Sequence, residues 1–130
     1  MGTGRSNLRG FLQKKNKISF MQRGDIVNIM FPYSDGSGAK SRPAIIISGN
    51  LLSRYKDVVV LGITSKTLYN FVIEEPLNNT ELVWGELPSD SFVRLFKIAF
   101  IDKSQIQEII GTIRKDKLDI IFRKMVRLFQ

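Results

Sequence analysis

The chain contains no histidine and no cysteine. Without cysteine there is no disulfide and no thiol chemistry. Without histidine there is no imidazole general base, no histidine metal ligand and no Ser-His catalytic pair. A metal site would need carboxylates alone, and the 12 acidic residues form no tight cluster with ligand spacing along the sequence. Few classes of enzymatic reaction remain.

Long apolar runs are also missing, since no stretch approaches the roughly 18 apolar residues of a membrane span. Acidic residues are outnumbered by 20 Lys and Arg, which gives a net charge of +8 and a pI near 10.0. Such a charge suits a polyanionic partner, although a basic surface that only keeps the protein soluble is the alternative. The 130 residues fit one domain that folds without staples.

Residues 1–20 differ in composition from the rest, with five Lys or Arg and no acid. They lack the continuous apolar core of a signal peptide. We predict that they are a basic extension, non-native or disordered, ahead of a domain over residues 21–130. A basic arm that touches RNA is the alternative. Without the five cations the net charge falls to +3, which weakens the argument for a polyanionic partner.

Most of the chain from residue 25 to residue 101 has the pattern of short strands separated by turn residues. An unbroken run of Ile after Pro43 predicts a strand that is buried on both faces. Gly62, inside another apolar strand, indicates a bulge or a close backbone approach. The predicted strands are residues 25–31, 43–48, 57–63, 70–73, 81–87 and 91–101, with a turn at 74–76.

Two helices are predicted late in the chain. A short one would begin at a cap formed by Asp102 or Ser104 and end at Gly111. A longer one, from Asp116 to Phe129, has apolar residues at three- and four-residue steps, and we expect this stripe to pack on the core, with a capped start at Asp116. The predicted fold is mainly β: a small, strongly curved barrel with a C-terminal helix.

The segment between the first two predicted strands is a long loop rich in helix- and strand-breaking residues, and long loops are often functional. It ends at Arg42, which the following proline biases to an extended conformation. Without histidine, cysteine or a metal, one reaction that remains is RNA cleavage by the substrate's own 2′-hydroxyl. That reaction needs donors that hold charge on the phosphate, and Arg42 and Thr64 offer such donors at strand ends.

Five segments of the chain carry a recognisable set of motifs: Arg23-Gly24-Asp25-Ile26-Val27, Phe31-Pro32, Asp35-Gly36-Ser37-Gly38-Ala39-Lys40, Arg42-Pro43-Ala44 and the stretch from Phe92 to Ser104. Together they resemble the MazF/PemK family of bacterial toxins, most of which are metal-independent endoribonucleases. The resemblance runs from Met21 to Ile113. The fold of this family is an SH3-like barrel with a C-terminal helix, which agrees with the fold predicted above.

The resemblance implies roles for particular residues. Arg42 and Thr64 match the two most recurrent active-site positions of the family, and Arg94 aligns with a basic residue that some members use at the scissile phosphate. Two departures concern the general base. Phe96 stands where some members carry an acid, and the first loop lacks the His or Glu of others. Asp35, Glu74 and Glu75 are the remaining weak candidates for a base.

The predicted function is therefore a growth-inhibiting toxin that cleaves single-stranded mRNA and leaves 2′,3′-cyclic phosphate and 5′-hydroxyl ends. The resemblance further implies no cofactor and no metal, a cytoplasmic location, a homodimer, and an antitoxin whose acidic, disordered tail occupies the RNA groove. Arg42, Thr64 and Arg94 are the predicted catalytic residues. The predicted RNA contacts are Lys40, Arg54, Ser65 and Lys66.

Two alternatives stay open. A catalytically silent relative would bind RNA without cutting it, or would poison a protein target such as gyrase. Phe96 in place of an acid makes this a real alternative. An SH3-like interaction module would bind a Pro-rich or extended peptide. That module would need Tyr33, Trp84 and Phe96 to cluster on the surface.

Overall fold

We describe the fold from a computed structural model, which covers residues 21–32, 35–49 and 55–130. The predicted extension, residues 1–20, and the predicted RNA contact Arg54 lie outside these ranges and stay predictions. The described chain forms one curled antiparallel sheet of seven strands followed by a helix. This half-barrel confirms the mainly β fold class with a C-terminal helix.

The strands follow one another closely, and one-turn 3-10 helices precede the fifth and seventh. The elements are β1 (Asp25–Pro32), β2 (Ala39–Ile46), β3 (Asp57–Thr64), β4 (Glu74–Leu77), β5 (Leu82–Gly85), β6 (Ser91–Asp102), β7 (Ile106–Ile113) and α1 (Lys115–Arg127). Their order across the sheet is β4-β6-β3-β2-β1-β7-β5, and every neighbouring pair is antiparallel.

The sheet has two faces, and successive side chains of a strand alternate between them. On the helix face, α1 covers a core that includes Ile45 and Leu61. On the opposite face, which we call the site face, a second core includes Ala44 and Val60. Because residues 44–47 of β2 and its continuation are all buried and enter the two cores in turn, the predicted burial on both faces is confirmed.

One strand lies later in the chain than predicted. Residues 70–73 form a turn, in which Asn70 Oδ1 accepts a hydrogen bond from the N–H of Val72. β4 instead covers Glu74–Leu77, where the sequence predicted a turn. The prediction is wrong because β4 lies at the edge of the sheet, where Pro76 can lack an N–H without breaking a ladder of hydrogen bonds.

The helix predicted between Asp102 and Gly111 is also wrong. Asp102 does act as a cap, since its side chain accepts a 2.8 Å hydrogen bond from the N–H of Ser104, but it caps only one 3-10 turn. The chain then forms β7, which pairs with β1 on one side and β5 on the other. The four isoleucines among its eight residues favour a strand over a helix.

The C-terminal helix is confirmed, but its predicted cap is not. Arg114 occupies the N-cap position without a side-chain cap hydrogen bond, and Asp116 forms a 3.0 Å salt bridge with it. In the described part of the chain, no helix has the length and apolarity to cross a membrane. The predicted apolar stripe packs on the helix-face core through Leu118, Ile121, Phe122, Met125 and Leu128.

Candidate active site on the face opposite the helix

Arg42 and Thr64 lie on neighbouring strands and on the same face of the sheet. β2 and β3 pair up to Ala44, a site-face core residue, and Gly62. Arg42 and Thr64 each lie two residues beyond this pair, so alternation puts both on the site face. β2 begins earlier than predicted, so that Arg42 lies inside the strand, opposite Ile29 of β1, and its side chain is exposed.

Thr64 is the last residue of β3 and is half-buried. Its Oγ1 accepts a 3.1 Å hydrogen bond from the N–H of Lys66. A hydroxyl that accepts one hydrogen bond keeps its own hydrogen for another partner. The side chain is thereby oriented by the backbone that follows it, and its O–H can be donated to an anion on the site face.

Arg94 reaches the same face from β6, on the other side of β3. Thr64 pairs with Phe92, and Arg94 follows two residues along. Arg94 Nε is the one buried side-chain polar atom of the described residues that has no hydrogen-bond partner. A buried donor without an acceptor is unfavourable, and a guanidinium is the group that best matches the oxygens of a phosphate. Arg42, Thr64 and Arg94 thus stand on three adjacent strands, spaced by about 5 Å per strand.

Phe96 lies in a bulge next to this group. Opposite Gly62, β6 carries three more residues than β3 between consecutive ladder pairs, which confirms the predicted bulge. The guanidinium carbon of Arg94 lies 5.4 Å from the centroid of the exposed Phe96 ring, and Lys97 Nζ lies 5.9 Å from it. Phe96 stands at the position where the resemblance led us to expect an acid in some members, and its ring here contacts the guanidinium of Arg94.

Glu74, a predicted candidate for the base, is buried with only 1% of its surface exposed. Its carboxylate accepts hydrogen bonds from the hydroxyl of Thr67 and from the N–H groups of Leu68 and Asn70. Burial alone would raise the pKa of Glu74, but these hydrogen bonds outweigh it and hold the pKa below its ordinary value. A general base is most efficient when its pKa lies near the working pH, so a carboxylate with a lowered pKa such as Glu74 is poorly suited to that role.

The other two candidate bases are engaged as well. Asp35 is exposed, and hydrogen bonds from the side chain and backbone of Ser37 lower its pKa. Glu75 lies on the helix face, 2.5 Å from Lys117 Nζ and 2.7 Å from Lys124 Nζ. Burial would raise the pKa of Glu75, but hydrogen bonds from both lysines keep it lowered. Among the described residues, no three acidic side chains come together as a metal site.

Three of the four predicted RNA contacts can be placed. Lys40 is exposed and lies two residues before Arg42 in β2, on the site face. Ser65 and Lys66 are exposed directly after Thr64. The fourth contact, Arg54, lies outside the described residues. The three described contacts therefore flank the group of catalytic candidates without belonging to it.

Trp84 has a structural role that the sequence did not reveal. Its indole N–H donates a 2.7 Å hydrogen bond to Thr112 Oγ1, whose hydroxyl donates a 2.7 Å hydrogen bond to the buried carboxylate of Asp25. The ring packs against the site-face core. A surface cluster with Phe96, as a peptide-binding module would require, is not formed by Trp84. Tyr33, the third member, lies outside the described residues.

Sequence reasoning also missed that Glu74 gathers the donors of the preceding loop. The contact joins residues 67–70 to residue 74 through a turn, and no periodicity marks it. A Thr, an Asn and an acid spaced over eight residues are common in any loop, so the signal was too weak to find.

Comparisons with known proteins identify the family and the fold. Residues 22–129 match the family described as PemK-like, MazF-like toxin of type II toxin-antitoxin system. No curated protein matches the chain. Three solved structures share the fold at 14–19% sequence identity and each covers 84% of this chain.

The first of these is an endoribonuclease from Mycobacterial species, with 14% identity, a TM-score of 0.66 and 90% of its own chain covered. The second is a Mycobacterial endoribonuclease in complex with its cognate antitoxin, with 19% identity, a TM-score of 0.64 and 94% covered. The third is the Form-II MazE-MazF structure from Deinococcus radiodurans, with 17% identity, a TM-score of 0.70 and 95% covered. Since the family match spans most of the sequence, the chain belongs to the PemK-like, MazF-like toxin family of type II toxin-antitoxin systems.

Proposed function

We propose that this toxin is a metal-independent endoribonuclease that cleaves single-stranded RNA through attack by the 2′-hydroxyl. The observation that carries the proposal is the convergence of Arg42, Thr64 and Arg94 on one face of three adjacent strands, with the Nε donor of Arg94 unpaired. Several relatives of this fold are named endoribonucleases, which supports the same class of reaction here.

In this reaction the 2′-oxygen forms a bond to phosphorus while the bond from phosphorus to the 5′-oxygen breaks. The products are a 2′,3′-cyclic phosphate and a 5′-hydroxyl. Negative charge grows on the phosphate oxygens in the transition state. Arg42 and Arg94 hold this charge from two sides of β3, and the Thr64 hydroxyl donates a third hydrogen bond. No protein nucleophile is required.

The protons move to and from solvent in this scheme. Asp35, Glu74 and Glu75 all have lowered pKa values because their oxygens accept hydrogen bonds. An arginine stays protonated at ordinary pH and cannot serve as a base. Hydroxide therefore takes the 2′ proton, and water returns a proton to the 5′-oxygen. We expect slow turnover whose rate rises with pH, because no positioned base replaces hydroxide.

Single-stranded RNA is the proposed substrate because the reacting 2′-hydroxyl must align with the leaving oxygen, which a flexible strand permits. Exposed Lys40 and Lys66 flank the catalytic candidates and would hold the neighbouring phosphates. The same basic surface suits the acidic, disordered tail of an antitoxin, and one related structure is a complex with its cognate antitoxin. We further propose a homodimer that acts in the cytoplasm.

The test is cleavage of a long RNA of mixed sequence in EDTA by the purified toxin, free of antitoxin. Arg42→Ala is compared with Arg127→Ala, which removes the same charge from α1 on the helix face. We expect native protein and Arg127→Ala to cut, and Arg42→Ala to lose activity by about 100-fold or more, as for the loss of an oxyanion donor. Mapping of the ends should find cyclic phosphates, and a 2′-deoxy substitution at the cut position should block cleavage.

Three results would overturn the proposal. Cleavage that EDTA abolishes would require a metal. Equal cleavage by Arg42→Ala would place the chemistry elsewhere. RNA that binds but stays intact would identify a silent, RNA-binding member of the family.

A further inference from the structure

The loop between β3 and β4 crosses the candidate site. β3 and β4 lie on opposite sides of β6, and the chain passes from Thr64, paired with Phe92, to Glu74, paired with Arg94. Paired residues point to the same face of a sheet, so Glu74 lies on the site face. Its carboxylate binds loop donors, and residues 65–73, which we call the crossover loop, therefore pass over β6 on the site face.

The crossover loop carries the densest group of exposed apolar side chains among the described residues. Leu68, Phe71 and Val72 are each at least half exposed, and Tyr69 is 84% exposed. Four such side chains thus lie within five consecutive residues. An exposed apolar patch of this kind, next to charged residues, commonly marks a binding site.

The loop is held in one shape despite its exposure. Glu74 accepts hydrogen bonds from three of its donors, and Thr67 Oγ1 also accepts a 2.8 Å hydrogen bond from the N–H of Tyr69. Tyr69 has φ of 55°, which makes it the one non-glycine residue with positive φ in the described chain. Such a conformation is uncommon for a tyrosine and persists only where its surroundings impose it. The ring is thus presented to solvent by a preorganised backbone.

We propose that the crossover loop is a base-stacking element of the RNA site, in which Tyr69 receives an unpaired nucleobase beside the cleaved phosphate. Glu74 is the positioning residue that holds the loop in this shape. The inference rests on the proposed function, since it takes Arg42, Thr64 and Arg94 as the phosphate site.

Nucleobases fit this surface better than a protein side chain does. A strand whose phosphate lies between Arg42 and Arg94 must extend its adjacent bases over the neighbouring surface, and the crossover loop begins directly after Thr64. Stacking on an aromatic ring accepts any base and is how single strands are commonly held. Lys66, at the start of the loop, supplies a cation for the next phosphate.

The test separates base contacts from backbone contacts. Tyr69→Asn removes the ring but keeps a residue that tolerates positive φ, and Tyr69→Phe keeps the ring. Phe129→Asn is the matched control, because Phe129 is 73% exposed but follows the helix on the other face. The probe is a fluorescein-labelled single strand of random sequence, about 12 nucleotides long, with 2′-O-methyl riboses that prevent cleavage. A second probe is an abasic backbone of the same length.

We expect Tyr69→Asn to weaken binding of the probe with bases by about 5- to 150-fold, the range for one stacked base, and to leave binding of the abasic strand unchanged. Tyr69→Phe and Phe129→Asn should bind both probes as the native protein does. Equal losses on both probes, or no loss on either, would overturn the proposal. So would a loss confined to binding of an antitoxin peptide.

Glu74 is tested through coupling to Tyr69. Glu74→Gln should weaken binding of the probe with bases, and Tyr69→Asn added to it should cause little further loss, because the loop is already misplaced. Additive losses would contradict the positioning role. Thr67→Val, which removes one hydrogen bond to Glu74, provides a milder variant if Glu74→Gln does not fold. Binding that depends on Tyr69 without any cleavage would refute the nuclease and leave the stacking element in place.

Discussion

Two neighbouring glutamates on β4 show how differently the two faces of the sheet treat charge. Glu75 points to the helix face, where Lys117 and Lys124 of α1 both reach it within 2.7 Å. Glu74 points to the site face, where its partners are the hydroxyl and N–H groups of the crossover loop. On the helix face these two lysines are paired with acids. On the site face Arg94 faces an aromatic ring instead.

The difference indicates a structural role for the helix face and a binding role for the site face. The ion pairs of the helix face attach α1 to the edge of the sheet, where an unpaired charge would destabilise the folded state. On the site face, the buried Glu74 holds the crossover loop in shape, and Arg94 Nε has no acceptor. A face on which an arginine donor has no partner is suited to bind an anion.

The largest expected effect is on the cleavage rate, from substitution of Arg94 on the site face. Arg94→Ala should lower the single-turnover cleavage rate by about 10²–10³-fold, because it removes a donor to the charged transition state. Arg94→Lys should restore only part of the rate, since an ammonium lacks the planar fork of a guanidinium. The melting temperature of Arg94→Ala should stay close to that of the native protein, because the change removes no hydrogen bond of Nε and only a contact with the exposed Phe96 ring.

Lys124→Ala is the matched change on the helix face, and it should lower stability while leaving cleavage intact. If Arg94→Ala instead unfolded the protein at ordinary temperature, Arg94 would be a structural residue. The contrast between the two faces would then be lost.

The sequence allowed much of this contrast to be predicted, but not all of it. Arg42, Thr64 and Arg94 could be predicted as site residues because a motif and strand ends mark them along the chain. The roles of Glu74 and Glu75 were not predicted. Adjacent residues point to opposite faces only within a strand, and β4 was not recognised as one. Pro76 concealed that strand.

The prediction for the segment that forms β7 was wrong for a different reason. A capped start at Asp102 and a glycine at position 111 are signals of a helix, but the Ile-rich segment between them is held in the sheet by two neighbouring strands. Pairing between distant parts of the chain overrides local signals, and such pairing is not visible in one sequence.

A smaller effect, on stability, is expected from substitution of Lys117 on the helix face. Lys117 lies 2.5 Å from Glu75 and 2.9 Å from Glu81, with 9% of its side chain exposed. Lys117→Met should lower the free energy of unfolding by about 2–4 kcal/mol, because Glu81 loses this cation and the buried Glu75 keeps only Lys124. Urea unfolding measures this loss. RNA cleavage at a temperature where the variant is folded should match that of the native protein.

A double variant sharpens the result. Lys117→Met combined with Glu75→Gln should cost less than the sum of the two single changes, because no charge at position 75 is then left behind. Strict additivity would mean that the two residues do not interact.

The smallest effect is a difference in pH dependence between the two faces. Hydrogen bonds from Lys117 and Lys124 lower the pKa of Glu75 below its ordinary 4.5 despite burial. The hydrogen bonds that Lys117 donates to Glu75 and Glu81 raise the pKa of Lys117 above its ordinary 10.5 despite burial. The stabilisation from Glu75 is therefore complete above about pH 4.5 and is lost as the pH falls through its folded pKa. That from Lys117 is complete below about pH 10.5 and is lost as the pH rises through its folded pKa.

The difference in the free energy of unfolding between the native protein and Glu75→Gln should consequently stay constant from about pH 5 to about pH 10. It should shrink on acidification, as Glu75 is protonated, and at still higher pH, as Lys117 loses its proton. Cleavage should behave differently in the same window, rising about tenfold per pH unit between about pH 6 and pH 8, because hydroxide removes the 2′ proton. A cleavage rate that levels off near neutral pH would reveal a positioned base and end the solvent-base scheme. Stability that varied across this window would show that Glu75 is not held by the two lysines.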